Sequence, residues 1–423
     1  MKKICLTVVG MYCMLLHAFS QVAPKDTSGF KSRRLKIDEV NLVSSYYTQT
    51  GDHSAIQGGI GSEKVTDLAN GLELKWVGWD GRGRRQNLTA GLGLDHHTAA
   101  SQAWVSKTGA SKTGGTRIYP SLNWSVENLQ KGSSFGLGAY YSSEYNYHSI
   151  GLDAELSKKT HNNGEFGVKL SGYLDQVKMV QPSEFNTTDT ISNTSGGTVT
   201  YTTASGRTVT LSSGETYTGD GEVKIPSKAR NTFTASFSFS QVINSRLQAV
   251  ILLDLVHQDG YLGLPFHRVY LNDGTDTLEK LPSSRFKLPV GLRLNYFLGD
   301  KIIIRSYYRF YIDDWGIRSH TASLEIPVKI SPFFSLSPFY RYYVQTAANY
   351  FAPYEVHTAA ETYYTSNYAL SAFSSQFFGA GIRLSPPGGV FHSALNTLEL
   401  RYGHYTQTTD LVSDVISMNL KFK

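Results

Sequence analysis

The chain has 423 residues, with 27 tyrosines, 21 phenylalanines, 39 glycines and only 17% charged side chains. Aromatic side chains fit a pleated surface, so this composition favours strands. The 40 basic residues exceed the 34 acidic ones by 6, a balance too weak to mark a nucleic-acid binder.

The first element in the chain reads as a signal peptide over residues 1–20. Lys2 and Lys3 form its basic end, Ile4 to Leu16 its apolar core, and Ala18-Phe19-Ser20 the small-residue site before Gln21. The apolar run is too short for a membrane anchor. Cys5 and Cys13 both lie inside it, and Cys13 follows Met11-Tyr12 rather than the small residues of a lipoprotein. The processed chain would therefore carry no thiol, no disulfide and no cysteine-held metal or redox group, which suits an oxidising compartment. Loss of Lys2 and Lys3 takes the net charge from +6 to +4. Beyond residue 20 no apolar run reaches about 18 residues, so any membrane entry must be by strands.

Residues 21–36 read as a periplasmic tail. From 37 onward period-two alternation dominates. Candidate strands fall at 37–50, 67–80, 85–97, 117–129, 133–144, 147–158, 164–179, 229–241, 245–258, 284–298, 300–313, 316–330, 333–346, 373–385, 395–406 and 412–423. In NTFTASFSFSQ, Phe233, Ala235, Phe237 and Phe239 share a face opposite threonines and serines. In FKLPVGLRLNY, Phe286, Leu288, Val290, Leu292, Leu294 and Tyr296 oppose Lys287, Pro289, Gly291, Arg293 and Asn295. ASLEIPVKI alternates in the same way from Ala322 to Ile330. From Phe286 to Tyr296 the strand runs about 33 Å, or about 25 Å of height at a tilt near 40°, the depth of a hydrocarbon band. Soluble strands average only about five or six residues.

The connections alternate too. Short turns occur at Asp80-Gly81-Arg82-Gly83, Gln130-Lys131-Gly132, His161-Asn162-Asn163-Gly164, Ile243-Asn244-Ser245 and Leu298-Gly299-Asp300, whereas the long excursions at 51–66, 98–116, 180–228, 259–283 and 347–372 share the other parity. The Asp313–Gly316 connection is short on the long side, and PPGGVFHSA at 386–394 is long on the short side. The expected fold is an all-β, transmembrane, antiparallel up-and-down β-barrel of about 16 strands over 37–423, with short periplasmic turns and long extracellular loops. Whether 98–116 and 259–283 fold inward would decide if its lumen is open.

The stretch RSYYRFYID at 305–313 shows what the two faces hold. Tyr308, Phe310 and Ile312 would meet lipid, and Arg305, Tyr307, Arg309 and Tyr311 the interior. The aromatic girdle expected at the lipid–water boundary comprises Phe286, Tyr296, Tyr308, Phe310, Tyr340, Tyr342, Tyr402 and Phe422. The lumen would be lined by Arg293, Arg305, Arg309, Glu325, Lys329, Arg341, Arg383, Glu399 and Arg401, with Asp254 and Lys421 also inward. Such basic residues either favour anions, as in anion pores, or brace the wall through Arg–Glu pairs.

Asp95-His96-His97 is the best catalytic candidate, with Ser101 or Asp52-His53 as neighbours. Adjacent strand residues point to opposite faces, however, so only one histidine could serve a given site, and the two do not form a metal chelate. No catalytic residue, metal site or cofactor is expected. The glycines of GLGLDHH and FGAGIRL (Gly91, Gly93, Gly379, Gly381) lie within strands, so they relieve crowding rather than cradle phosphate. The Ser/Thr/Gly-rich polar segment within 180–228 reads as an extracellular loop with a hairpin, Thr198–Thr203 against Thr208–Ser213. The Lys, Ser and Gly cluster at 106–116 reads as solvated loop. The terminal MNLKFK resembles the signal by which bacterial barrels are recognised for assembly, with Phe422 penultimate.

DEVNLVSSYYTQTGDHSAIQGGIGSEKVTD from Asp38, RIYPSLNWSVEN from Arg117, PFHRVYLNDGT from Pro265 and SRFKLPVGLRLNYFLGDKIIIRSYYRFYIDDWGI from Ser284 carry a family resemblance. Together they resemble a Bacteroidota outer-membrane family catalogued as domain of unknown function 3570. The resemblance implies the outer membrane of a Gram-negative cell and transfers no catalytic residues. It also implies a redox-related setting beside flavin-transferring and thioredoxin-like envelope proteins.

The expected function is a porin-like passive channel for small solutes past a basic lumen. The alternatives are a non-conducting scaffold that binds an envelope partner protein and, least supported, a rim hydrolase. The expected surroundings are outer-membrane lipid and the barrel assembly machinery.

Overall fold

Strands with one apolar and one polar face are stable only when each face has its own solvent and every backbone group has a neighbour. The computed structural model describes residues 32–98, 115–179, 190–193, 197–202, 208–218 and 226–422, and it meets both conditions with a closed sheet. Residues 1–20, read above as a signal peptide, Ser101 and most of the 106–116 cluster lie outside the described residues.

The wall consists of β1 (Arg33–Thr50), β2 (Val65–Trp79), β3 (Arg85–His97), β4 (Gly115–Asn128), β5 (Ser133–Glu144), β6 (Tyr147–Lys159), β7 (Gly164–Lys178) and β8 (Ser227–Asn244). It continues through β9 (Leu247–Gly260), β10 (Ser284–Leu298), β11 (Ile302–Asp313), β12 (Arg318–Glu325, resuming at Val328–Lys329), β13 (Phe334–Gln345), β14 (Phe373–Leu384), β15 (Leu395–Gln407) and β16 (Val412–Phe422). Each strand pairs antiparallel with the next, and β16 returns to β1 in register from Val40↔Phe422 to Thr50↔Val412. Seventeen hydrogen-bonded segments make up the sheet. Two of them are the halves of β12, which leaves sixteen strands and no open edge.

Most strand ends fall within three residues of the sequence expectation, and two departures have a clear local cause. β1 opens at Arg33 rather than 37, because a bulged extension of the strand keeps pairing with the end of β2 as far as Arg33↔Trp79. β12 breaks at Ile326-Pro327, where proline lacks the N–H that the ladder needs. The register survives the break, with Arg305↔Glu325 before it and Ile302↔Val328 after it.

The apolar side chains are on the outside. Leu152, Leu170 and Phe233 are 63%, 55% and 48% exposed, and Leu72, Leu292, Leu324, Tyr340 and Ile416 share that face through the cross-strand pairs. Among the described residues, buried hydrophobics are few, and Val269, Leu271, Trp315, Ile317 and Ala348 belong to the outer loops. A water-soluble domain would show the reverse, whereas a barrel wall in lipid requires this arrangement. Among the described residues no helix is long and apolar enough to cross a membrane. Leu152→Arg near mid-wall should cost about 2–4 kcal/mol of folding stability in lipid vesicles. A loss near zero in a vesicle-folding titration would show that Leu152 does not face hydrocarbon.

Odd-numbered strands run outward and even-numbered ones return. The segments 80–84, 129–132, 160–163, 245–246, 299–301, 330–333 and 385–394 therefore share the periplasmic end. The last contains a short 3-10 turn, Val390–His392, with Val390 buried. On the outer side Val199–Thr202 pairs with Thr208–Leu211, and Thr190–Ser192 with Thr216–Thr218.

Candidate functional site

Contacts that skip strands reveal which face is concave. Arg401 on β15 approaches Glu325 on β12 at 3.3 Å, although β13 and β14 stand between them. Tyr140 on β5 packs edge-on against Tyr173 on β7 at 6.0 Å, and His97 on β3 reaches Glu144 on β5 at 3.2 Å. Side chains can bridge in this way only on the inside of a curved wall. The polar face is the inner face.

That face holds Arg293, Arg305, Arg309, Glu325, Lys329, Arg341, Arg383, Glu399 and Arg401, as their cross-strand partners show. The outer face holds Phe286, Tyr296, Tyr308, Phe310, Tyr340, Tyr342, Tyr402 and Phe422. Several outer-face hydroxyls are hydrogen-bonded: Tyr402 donates to Asp414 at 2.6 Å, Tyr340 to Gln376 at 3.2 Å, and Tyr308 meets His320 Nδ1 at 2.7 Å.

The structure brings four of the inner residues into one chain. Arg401 Nη1 lies 3.3 Å from Glu325 and 3.4 Å from Glu399, and Arg305 lies 3.6 Å from Glu325. Arg293, Arg309, Arg341, Arg383 and Lys329 have no carboxylate within ion-pair distance among the described residues. Toward the middle of β2–β9 the same face carries Glu73, Asp153, Glu155 and Asp254 against Lys75 and Lys169, with Lys169 and Asp153 paired at 2.8 Å. The inner face is thus not uniformly basic. Its unpaired guanidinium groups concentrate on the β10–β16 wall.

Sequence reasoning missed the aromatic partners of those arginines. Arg341 stands over Phe377 at 4.9 Å, Arg401 over Phe339 at 5.2 Å, and Arg293 over Tyr307 at 5.8 Å. The in-strand glycines make room for these rings. A Cβ on Gly403 would meet Phe377 Cζ at 2.4 Å, and one on Gly379 would meet Phe339 Cζ at 2.8 Å. Gly379 lies directly opposite Phe339, but Gly403 opposes Gly379 and reaches Phe377 only diagonally, so alternation along one strand carries no signal for this seat.

Among the described residues the catalytic candidates do not converge. His96 lies on the outer face and meets Thr116 Oγ1 at 2.9 Å, whereas His97 points inward to Glu144. Asp95 accepts from Tyr119 at 2.7 Å rather than orienting either histidine. His53 stacks on Tyr368 at 3.7 Å within the outer loops. Among the described residues no three His, Cys, Asp or Glu side chains converge in a way that could hold a metal ion.

Those outer loops form the second part of the site. The β1–β2 and β9–β10 connections leave the ring eight strands apart, on opposite sides of a barrel about 30 Å across. They nevertheless touch: Arg268, 2% exposed, donates from Nη1 to Ile56 O at 2.7 Å. The β13–β14 connection joins them. Lys280 and Tyr364 exchange backbone hydrogen bonds at 3.1 and 2.8 Å, and Asn272 N donates to His357 O at 2.8 Å. Thr365 Oγ1 donates to Glu279 Oε1 at 2.6 Å. The three loops therefore form a cap across the outer mouth, with Val269, His357 and Thr365 at most 2% exposed. Inner-face residues root it to the wall: Gln345 donates to Ala369 O and Ser371 O, and Asp313 accepts from the amides of Trp315 and Ile317. Of the two loops whose inward folding mattered, the one after β9 crosses the mouth, and 99–114 lies outside the described residues.

Glu279 sits at the centre of the cap. Burial alone would raise its carboxyl, but His267 at 3.5 Å, the Thr365 hydroxyl and the Leu264 amide together hold it below the ordinary 4.5. A lowered carboxylate stabilises the cap above its ordinary titration range, and that contribution is lost as pH falls through the depressed folded value. Proteolysis of 261–283 and 346–372 should accelerate below pH 4.5 in the intact protein and change less in Glu279→Gln. Equal acid sensitivity in both would remove Glu279 from that role.

A family model described as "Protein of unknown function (DUF3570)" matches residues 84–412, well over half of the chain. Among solved structures, the OccK1 (OpdK) protein of Pseudomonas aeruginosa is 7% identical with a TM-score of 0.39, covering 91% of this chain and 97% of that one. OpdQ of Pseudomonas aeruginosa is 9% identical with a TM-score of 0.40, covering 93% and 98%. A bacterial polysaccharide outer membrane secretin is 9% identical with a TM-score of 0.42, covering 91% and 98%. These likenesses are remote, and neither solute nor mechanism transfers from them. No curated protein matches the sequence.

Proposed function

We propose that this chain, which belongs to the DUF3570 family, is an outer-membrane channel of a Gram-negative cell that passes small anionic solutes along the β10–β16 wall. One observation carries the reading: Arg293, Arg341 and Arg383 are exposed on the inside of a closed sixteen-strand barrel with no carboxylate partner among the described residues. Guanidinium groups left unpaired along a water-filled path lower the free energy of an anion there and raise that of a cation. The cap narrows the outer entrance, which suits small solutes. β16, with its alternating apolar face, would be the element handled by the assembly machinery, and lipid would surround the girdle.

The cap also favours a second reading, a non-conducting scaffold for an envelope partner, should the loops close the mouth fully. Planar-bilayer recording of the folded full chain separates the two. Discrete conductance steps with a reversal potential favouring chloride over potassium are expected. A correctly folded protein that gives no steps would overturn the channel and leave the scaffold.

A further inference from the structure

The inner wall contains a feature that a path for simple anions does not require. Arg401, Phe339, Phe377 and Arg341 stand in file, with successive separations of 5.2, 5.1 and 4.9 Å. The rings are seated rather than loose, because Gly379 and Gly403 leave space that a Cβ would close. Glu325 and Glu399 tie down Arg401 at one end of the file. Arg341, at the other end, is exposed and has no carboxylate partner among the described residues. A cavity of about 660 Å³ borders the file and is also lined by Arg293, Arg305 and Tyr307.

A hydrated inorganic anion gains nothing from ring faces. A guanidinium stacked over a ring, by contrast, keeps its N–H edges free in its own plane, where they match a carboxylate bidentately. An unsaturated ring coplanar with its carboxylate would meet both requirements together. Its charge would lie on the free N–H edge of Arg341 and its ring in the adjoining cavity, in tilted or edge contact with Phe377 and Phe339, which both line that cavity. We infer that the Arg401–Phe339–Phe377–Arg341 file is a binding station for planar, unsaturated monocarboxylates. Arg341 takes the carboxylate, and the two phenylalanines take the ring. This rests on the channel reading for its purpose, but binding itself is measurable without conductance.

The test compares benzoate with cyclohexanecarboxylate, which has the same charge but a saturated, non-planar ring. Saturation-transfer NMR on the full chain folded in detergent should show benzoate bound and the saturated acid bound several-fold more weakly. Arg341→Gln and Phe377→Leu should each weaken benzoate by about tenfold, and Phe377→Tyr should restore it, since a charge-assisted hydrogen bond or a stacked ring contributes on that scale. Equal affinity for the two acids, no benzoate binding, or full binding by Phe377→Leu would each overturn the inference. Heat-modified gel mobility establishes that the variants fold. Benzoate binding without conductance would end the channel reading and leave the station standing; conductance without benzoate binding would do the reverse.

Discussion

Removing the β13–β14 segment of the cap, with a short Gly-Ser link in place of residues 349–366, is expected to raise single-channel conductance several-fold. The reason is geometric. Current through a wide barrel is limited by its narrowest cross-section, and a sixteen-strand ring about 30 Å across is open unless loops enter it. Here three loops meet across the ring, and the deleted segment holds their shared partners. His357 O accepts from Asn272, Tyr364 pairs with Lys280, and Thr365 donates to the buried Glu279. The deletion removes these hydrogen-bond partners of Asn272 and Lys280 and one of those of Glu279, so the remaining loops should lose order as well. A smaller lesion tests the same point. Thr365→Val leaves the Glu279 carboxylate short of one buried hydrogen bond, a loss of about 1–3 kcal/mol. It should give noisier, intermittently larger currents without changing the wall. Unaltered conductance in a folded deletion variant would mean that the cap does not limit the path.

The second large effect concerns selectivity. Arg293→Glu combined with Arg341→Glu should invert the chloride-over-potassium preference, read as a change in sign of the reversal potential across a salt gradient. Neither arginine has a carboxylate partner among the described residues, so the reversal places two net negative charges on the wall where two positive ones faced the path. Arg401, by contrast, is shared by Glu325 and Glu399, so its removal should disturb local packing more than selectivity. The effect should be strongest at low salt, since screening extends over about 10 Å at 0.1 M and about 30 Å at 0.01 M. An unchanged reversal potential in dilute salt would show that ions do not pass this wall.

The outline of the barrel was legible in the chain for a local reason. Alternation over ten or more residues assigns each side chain a face without reference to any other strand. Arg305 and Tyr308 could thus be placed on opposite faces from the string RSYYRFYID alone. The same rule set His96 and His97 on opposite faces, which by itself weakens the catalytic reading. Where the rule failed, a local exception intervened. Pro327 interrupts a strand that its alternation carries straight through, and bulges let β1 keep pairing back to Arg33, where the alternation is broken.

The candidate site was legible only in part. That Arg341, Glu325 and Arg401 face inward followed from alternation, but that Glu325 and Arg401 meet did not. They are 76 residues apart, and they touch only because closure curves three strand spacings into reach of two side chains. Likewise Gly403 and Phe377 each look ordinary, and the seat they form exists only in the register of β14 against β15.

The amino-acid sequence alone indicated about sixteen crossings, the face that each alternating segment turns to lipid, and the end that carries most of the long connections. These properties follow from period-two patterning within each segment. Only the tertiary structure decided that loops from opposite sides of the ring join into a cap, with Arg268 reaching Ile56 across 212 residues, and which inward arginines, such as Arg401, find carboxylate partners. Both depend on which strands become neighbours when the sheet closes on itself, and a one-dimensional repeat carries no record of that closure.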